Sequence, residues 1–223
     1  MDPQTIVLSV ALAIGSYVVG SIPFGVLVAR VSGGPDPRTI GSGRTGGTNA
    51  LRALGRKWAA LVVIGDLAKG AVPVLVAREL TGLPAVEVVC GFAAVLGAWR
   101  SIFLKFHGGR GVATGVGTML VIQPAALLIA TPVFVVVILV TRYVSLGSLL
   151  GSAAMFPAML LIWLVASGAV PPAYLIYAAV GPVIIWLAHA DNIDRLLHGT
   201  ERKFDLAMLG GGHGAGGAGG AGG

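Results

Sequence analysis

The chain has little charge, one cysteine and few carboxylates, and each shortage excludes something. Charged residues make up 11% of its 223 residues, against the roughly one quarter usual in soluble domains. An ordinary water-facing globule is therefore excluded. The single cysteine, Cys90, lies in an apolar stretch, so neither a disulfide framework nor a cysteine metal site can form. With nine Asp and Glu, no carboxylate cluster and no P-loop, no metal ion, nucleotide or other cofactor is indicated. No basic segment precedes the first apolar run and no cleavage motif follows it. That run reads as a retained span rather than a signal peptide.

What is present is apolar length. Hydrophobic residues reach 56% and the mean hydropathy is +0.90, which marks an integral membrane protein. A crossing takes about 20 apolar residues, so little room is left for a separate soluble domain. The expected fold is all-α and polytopic, with about seven transmembrane helices in a single domain over residues 1–209. Apolar segments lie at about 4–29, 58–77, 84–104, 112–123, 125–141, 147–166 and 171–189. Gln123-Pro124 divides the fourth from the fifth, and the fourth is short enough to suggest a tilted, broken or re-entrant helix. Residues 210–223 are Gly and Ala around His213, read as a disordered tail with no ligand role for the histidine.

The basic residues orient the chain. Arg30, Arg38, Arg44, Arg52, Arg56 and Lys57 lie between spans one and two; Arg100, Lys105 and Arg110 between three and four. Arg142 lies between five and six, and Arg195, Arg202 and Lys203 follow span seven. Seven crossings put every one of these on one side, with only Arg78, Glu79 and Glu87 opposite. The positive-inside rule makes that side cytoplasmic, the N-terminus outside and the C-terminus inside. The net charge of +6 sits beside the membrane, which favours lipid headgroups and anionic substrates over nucleic acid.

Polar motifs gather on that same side. Residues 40–52 form a glycine-rich loop with Ser42, Arg44, Thr48, Asn49 and Arg52 as donors. It is either a flexible connector or an anion cradle in which glycines bring backbone N–H groups close to a phosphate. Asp66 and Lys69, one turn apart inside span two, are either a self-satisfied ion pair or a lysine aimed at the site and anchored by Asp66. Gly108-Gly109-Arg110-Gly111 opens directly into a helix, which favours an anion at a helix N-terminus clamped by Arg110 over a snorkelling cation. Arg142-Tyr143-Val144-Ser145 could be an interfacial anchor. His189 and Asn192, three residues apart, share one face if the last helix continues through them.

Together these motifs resemble the acyl-phosphate-dependent glycerol-3-phosphate 1-acyltransferases of bacteria, the PlsY family. The pieces are Gly20-Ser21-Ile22-Pro23-Phe24-Gly25, Asp36-Pro37-Arg38 leading into Ile40-Gly41-Ser42-Gly43, Thr48-Asn49-Ala50-Leu51-Arg52, and Asp66-Leu67-Ala68-Lys69-Gly70. They continue with Gly108-Gly109-Arg110-Gly111-Val112-Ala113-Thr114, Arg142-Tyr143-Val144-Ser145-Leu146, and His189 with Asn192-Ile193 and Arg195-Leu196, in the family's order. The chain departs from the pattern at Arg44-Thr45 (usually Asn-Pro), Arg110 (usually Lys), Ala98 (usually His) and Ala188 (often Arg).

The resemblance implies a seven-helix enzyme of phospholipid biosynthesis in the bacterial inner membrane, its site on the cytoplasmic face. The reaction it implies takes acyl phosphate and glycerol 3-phosphate to 1-acyl-glycerol 3-phosphate and phosphate. Its substrates and the membrane lipid are then the expected partners. Ser42, Thr48, Asn49, Arg52, Arg142 and Ser145 are expected to bind the two phosphates, with Lys69 behind them. Arg110 with Gly108, Gly109 and Gly111 would hold one phosphate and stabilise developing charge. His189 and Asn192 would position glycerol phosphate, with either His189 or an acyl-phosphate oxygen as the base. A transporter of anionic lipid precursors would also use basic loops, although internal repeats are not evident. A paralogue that only binds such precursors is the third reading, motivated by Arg44, Ala98 and Ala188.

Overall fold

The computed structural model describes residues 2–166 and 170–209; the glycine-rich segment 210–223, with His213, lies outside the described residues. Those residues form eleven α-helices, and no strand occurs among them. α1 (Pro3–Gly20) starts on Asp2, whose carboxylate accepts from the Thr5 N–H at 2.9 Å, and stops at Ser21-Ile22-Pro23. Pro23 has no N–H to continue the ladder, so the chain restarts as α2 (Phe24–Ser32), which ends on Gly33 in the left-handed region. A short polar helix, α3 (Gly47–Leu54), lies between the first two spans, and α4 (Arg56–Thr81) is the longest element. Then follow α5 (Pro84–Trp99), α6 (Val112–Ile122), α7 (Pro124–Thr141), α8 (Val144–Ala153), α9 (Met155–Val165), α10 (Pro172–Ala188) and α11 (Ala190–Leu197).

Five helical runs are long and apolar enough to cross a bilayer: Pro3–Ser32, Arg56–Thr81, Pro84–Leu104, Pro124–Thr141 and Val144–Val165. α10 and α11 make a sixth if the pair, bent by 68°, is one span. The seventh expected crossing corresponds to α6, whose 11 residues fall short. At the helical rise it is about 16 Å long, roughly half the hydrocarbon thickness.

Packing fixes helix directions. The C-terminal ends of α1 and α5 meet, where Tyr17 Oη donates to Arg100 O and Ser101 Oγ to Ser21 O, each at 2.6 Å. These helices therefore run parallel. α4 and α6 do likewise: a Cβ at Gly70 would overlap the Thr114 carbonyl, and one at Gly117 the Leu67 carbonyl. Small residues thus let the two backbones touch, as membrane helices require in the absence of a hydrophobic drive between them. At the far end, Arg78 Nη2 donates to Val121 O in the last turn of α6 at 2.9 Å. Arg78 also pairs with the buried Glu87 at 2.7 Å, and Tyr174 Oη donates to that carboxylate at 2.8 Å. Of the charges expected opposite the basic face, Arg78 and Glu87 therefore sit at helix ends in one network, while Glu79 is exposed. A core of Val74, Met119, Ile122, Met159, Tyr174 and Tyr177 packs beside it. Leu128, Val140 and many other large apolar side chains point outward, as a lipid-facing surface needs.

Candidate active site

The 40–52 loop is shaped from within. Gly41 and Gly43 adopt left-handed φ angles of 58° and 68°, turning the chain tightly enough to wrap one side chain. That side chain is Asn49, 3% exposed, whose amide nitrogen donates to the carbonyls of Pro37 (2.6 Å), Ile40 (3.0 Å) and Arg44 (2.8 Å). Its oxygen accepts from the Ser42 N–H at 3.1 Å. Asn49 has no donor to spare for a ligand. It organises the loop, while Ser42, Thr48 and Arg52 line a cavity beside it. Arg52 is half-buried; burial, and then the nearby Arg202, pull its guanidinium below the ordinary value.

The second loop folds back on α5. The Gly108 N–H donates to Trp99 O at 3.0 Å and the Gly109 N–H to Ala98 O at 2.9 Å. A Cβ at Gly108 would overlap the Ala98 carbonyl, so this glycine serves close packing. Gly111, at φ 76°, caps α6 and leaves Arg110 at the cavity wall with its side chain 17% exposed. Arg110 Nη2 donates to Asp191 Oδ2 at 3.0 Å. Burial first, then Asp191 in opposition, leaves the Arg110 guanidinium below its usual range. Burial alone would raise the Asp191 carboxyl, yet Arg110, Arg195 and Arg44 hold it below the usual carboxylate range.

The third wall is the break between α10 and α11. The last helix does not run through His189: it ends there and α11 leaves at 68°. His189 Nδ1 lies 2.8 Å from the Ile185 carbonyl, which only an N–H can satisfy. Nε2 is then the lone-pair nitrogen of the neutral ring. Asn192 Nδ2 donates to Glu201 Oε1 at 2.8 Å, and Arg195 Nε donates to Glu201 Oε2 at 2.9 Å. The segment after α11 returns to α7, where the Phe204 N–H donates to Arg142 O at 2.6 Å. This return brings Glu201 and Arg202 to the cavity.

The cavity measures about 410 Å³. Ser42, Thr48, Asn49, Arg52, Lys69, Gly109, Arg110, Gly111, Ser145, His189 and Asn192 all line it. Gly108 and Arg142 do not; Arg142 is exposed at the end of α7, with φ 62°. Lys69 Nζ pairs with Asp66 at 2.7 Å and donates to Ile22 O at 3.1 Å, and both residues line the cavity. Arg44, a donor of the 40–52 loop, lines the cavity too, together with Glu201 and Arg202, which the sequence does not single out as site residues. Arg44 was legible as a donor in its loop, whereas the other two depend on the chain's return past α11. Arg110 Nε, Ser145 Oγ, Asp191 Oδ1 and Asn192 Oδ1 are buried without hydrogen-bond partners among the described residues. Buried polar groups left without partners call for an explanation, and these four cluster at or next to the cavity wall. No group of His, Cys, Asp and Glu capable of holding a metal occurs among the described residues.

A second, apolar cavity of about 260 Å³ adjoins the first, sharing Val112, Val116, Phe134 and Ser148 with it. Met119, Leu127, Met155 and Tyr177 line its depth.

The family model described as "Glycerol-3-phosphate acyltransferase" matches residues 10–199. The chain belongs to this family. A glycerol-3-phosphate acyltransferase of Rubrobacter xylanophilus is 42% identical over 205 residues, covering 92% of this chain and 100% of its own. "Glycerol-3-phosphate acyltransferase 3" of Dehalococcoides mccartyi is 41% identical over 206 residues, covering 87% and 94%. Among solved structures, the glycerol 3-phosphate form of PlsY (YgiH), an integral membrane glycerol 3-phosphate acyltransferase, superimposes with a TM-score of 0.81 at 36% identity. That match covers 92% of this chain and 99% of the other. Its lysophosphatidic acid form gives 0.79 at 37% identity, covering 90% and 97%. This acyltransferase chain is thus aligned with the family over most of its length.

Proposed function

We propose that this membrane acyltransferase moves an acyl group from acyl phosphate to the 1-hydroxyl of glycerol 3-phosphate in the cavity between α3, α6 and α11. The observation that carries the reading is the junction of two unlike cavities. A polar one lined by Arg44, Arg52, Arg110 and Arg202 shares four wall residues with an apolar one between helices. A phosphate joined to an acyl chain matches both halves. The crystal forms of PlsY with glycerol 3-phosphate and with lysophosphatidic acid support the acceptor and product.

In this mechanism the acceptor's 1-oxygen attacks the acyl carbonyl, a new ester C–O bond forms, and the carbonyl–phosphate bond breaks. Phosphate is a good leaving group, so the protein's task is to hold two anions together and aim the hydroxyl. Arg52, Ser42, Thr48 and Ser145 would hold one phosphate and Arg110, at the N-terminus of α6, the other, stabilising the charge that develops. Asn49 shapes their loop, and Lys69 contributes field from behind. His189 Nε2 or an oxygen of the acyl phosphate takes the hydroxyl proton. The acyl chain would lie in the apolar cavity.

The orientation belongs to the same proposal. α6 is taken as the seventh crossing, its parallel pairing with α4 supporting an alternating up-and-down chain. The Lys and Arg distribution then supports a cytoplasmic site, an outer N-terminus and an inner C-terminus. Donor choice tests the reading. Purified protein given glycerol 3-phosphate should release phosphate and lysophosphatidate in equal amounts from acyl phosphate, and make no product from an acyl thioester. Product from the thioester alone would overturn the proposed donor.

A further inference from the structure

Arg110, expected to hold a phosphate, already shares an anion with Arg44 and Arg195. Arg110 Nη2 and Arg195 Nη2 donate to Asp191 Oδ2 at 3.0 and 3.1 Å, and Arg44 Nη2 stands 3.9 Å from Asp191 Oδ1. One carboxylate thus gathers guanidiniums from the 40–52 loop, the 105–111 loop and α11. The arrangement is only half made. Arg110 Nε and Asp191 Oδ1 are both buried without a hydrogen-bond partner among the described residues, whereas a two-pronged guanidinium–carboxylate pair would satisfy both. Arg110 lines the cavity while one of its donors is occupied by Asp191 and its Nε is left unpaired.

We propose that Asp191 is a positioning residue, an internal anion that holds Arg44 and Arg110 together in the unliganded cavity and competes with substrate phosphate for them. Three guanidiniums brought this close repel one another, and a carboxylate at their centre keeps them in place. The same carboxylate lowers the apparent affinity for an incoming phosphate, because the competent state is available only when the internal contact opens. Asp191 would then trade affinity for a prearranged site and for easier release of the phosphate product.

The acyltransferase reading supplies the identity of the anion, but phosphate binding can be read without turnover. Inorganic phosphate is titrated into detergent-solubilised protein, with calorimetry or the rise in Tm as readout, alongside the KM for glycerol 3-phosphate. Asp191→Asn should bind inorganic phosphate about two- to fivefold more tightly, the size expected for losing one partly exposed competing pair. Its KM should fall in the same sense while kcat does not rise, and Asp191→Glu should keep the parent's affinity. Equal or weaker phosphate binding by folded Asp191→Asn overturns the proposal. Should that variant not fold, Asp191→Ser carries the same expectation; if neither folds, Asp191 is a structural residue and the proposal fails. Tightened phosphate binding in a protein without acyltransferase activity would instead leave this role standing and refute the reaction.

Discussion

Arg110 carries two demands, a charge opposite phosphate and a forked geometry that Asp191 partly occupies. The two can be separated by substitution. Arg110→Lys keeps the charge but cannot bridge two oxygens with one planar group. It should retain part of the activity, with KM for glycerol 3-phosphate rising more than kcat falls. Arg110→Gln loses the charge and should be far weaker in both. Steady-state kinetics on folded variants checks this; a glutamine variant with parental kinetics would remove Arg110 from the site. Arg110, Arg52 and His189, all singled out in the sequence, line the cavity. At Asn49 residue chemistry misled. The same amide that could meet a phosphate is spent on three carbonyls and one N–H of its own loop, and only the folded path of residues 37–44 reveals this.

At the scale of elements, α6 is the unusual helix. It is 11 residues long, its N-terminal end lines the polar cavity, and its last turn is held by Arg78 from α4. A helix that stops short in the bilayer leaves carbonyls without water, so a donor from a neighbour stabilises its end. Arg78→Met would strip that donor and leave Glu87, 3% exposed, without its cation. The expected loss of stability is about 3 kcal/mol, the lower range for breaking a buried pair. Activity at saturating substrate should survive in the folded fraction, since the network lies at the far end of α6. Thermal unfolding in detergent beside kcat checks both parts; loss of kcat in fully folded protein would tie Arg78 to the site instead. The span boundaries were legible from hydropathy, and Pro124 and Pro172 open helices close to where apolar runs resume. The break at His189 was not. An apolar run followed by a polar helix of good propensity carries no local sign of a 68° bend.

On the proposed orientation the cations, Arg78 and Lys69 apart, lie on one face while the apolar cavity lies between helices, an arrangement suited to joining a water-soluble acceptor to a membrane-borne chain. The proposed orientation has a direct check. In a Cys90-free background, single cysteines in 30–57, 105–111 and 142–146 should react with membrane-impermeant reagents only from the cytoplasmic side. Labelling from the outer side alone would invert the topology. What composition could not convey is how the C-terminal segment returns to the cavity. Phe204 anchors it on Arg142, bringing Glu201 and Arg202 to residues more than a hundred positions away, and such long-range pairing leaves no periodic signal.

The most direct measurement is turnover by the purified wild type beside folded Arg52→Ala, with acyl phosphate and glycerol 3-phosphate both saturating. Arg52 lines the polar cavity from the loop richest in donors. Losing a phosphate contact there should cost about 2–5 kcal/mol, which all but abolishes turnover. The account expects equimolar phosphate and lysophosphatidate from the wild type and nearly none from the variant. No lysophosphatidate from the wild type, or undiminished turnover and KM values in Arg52→Ala, would contradict it.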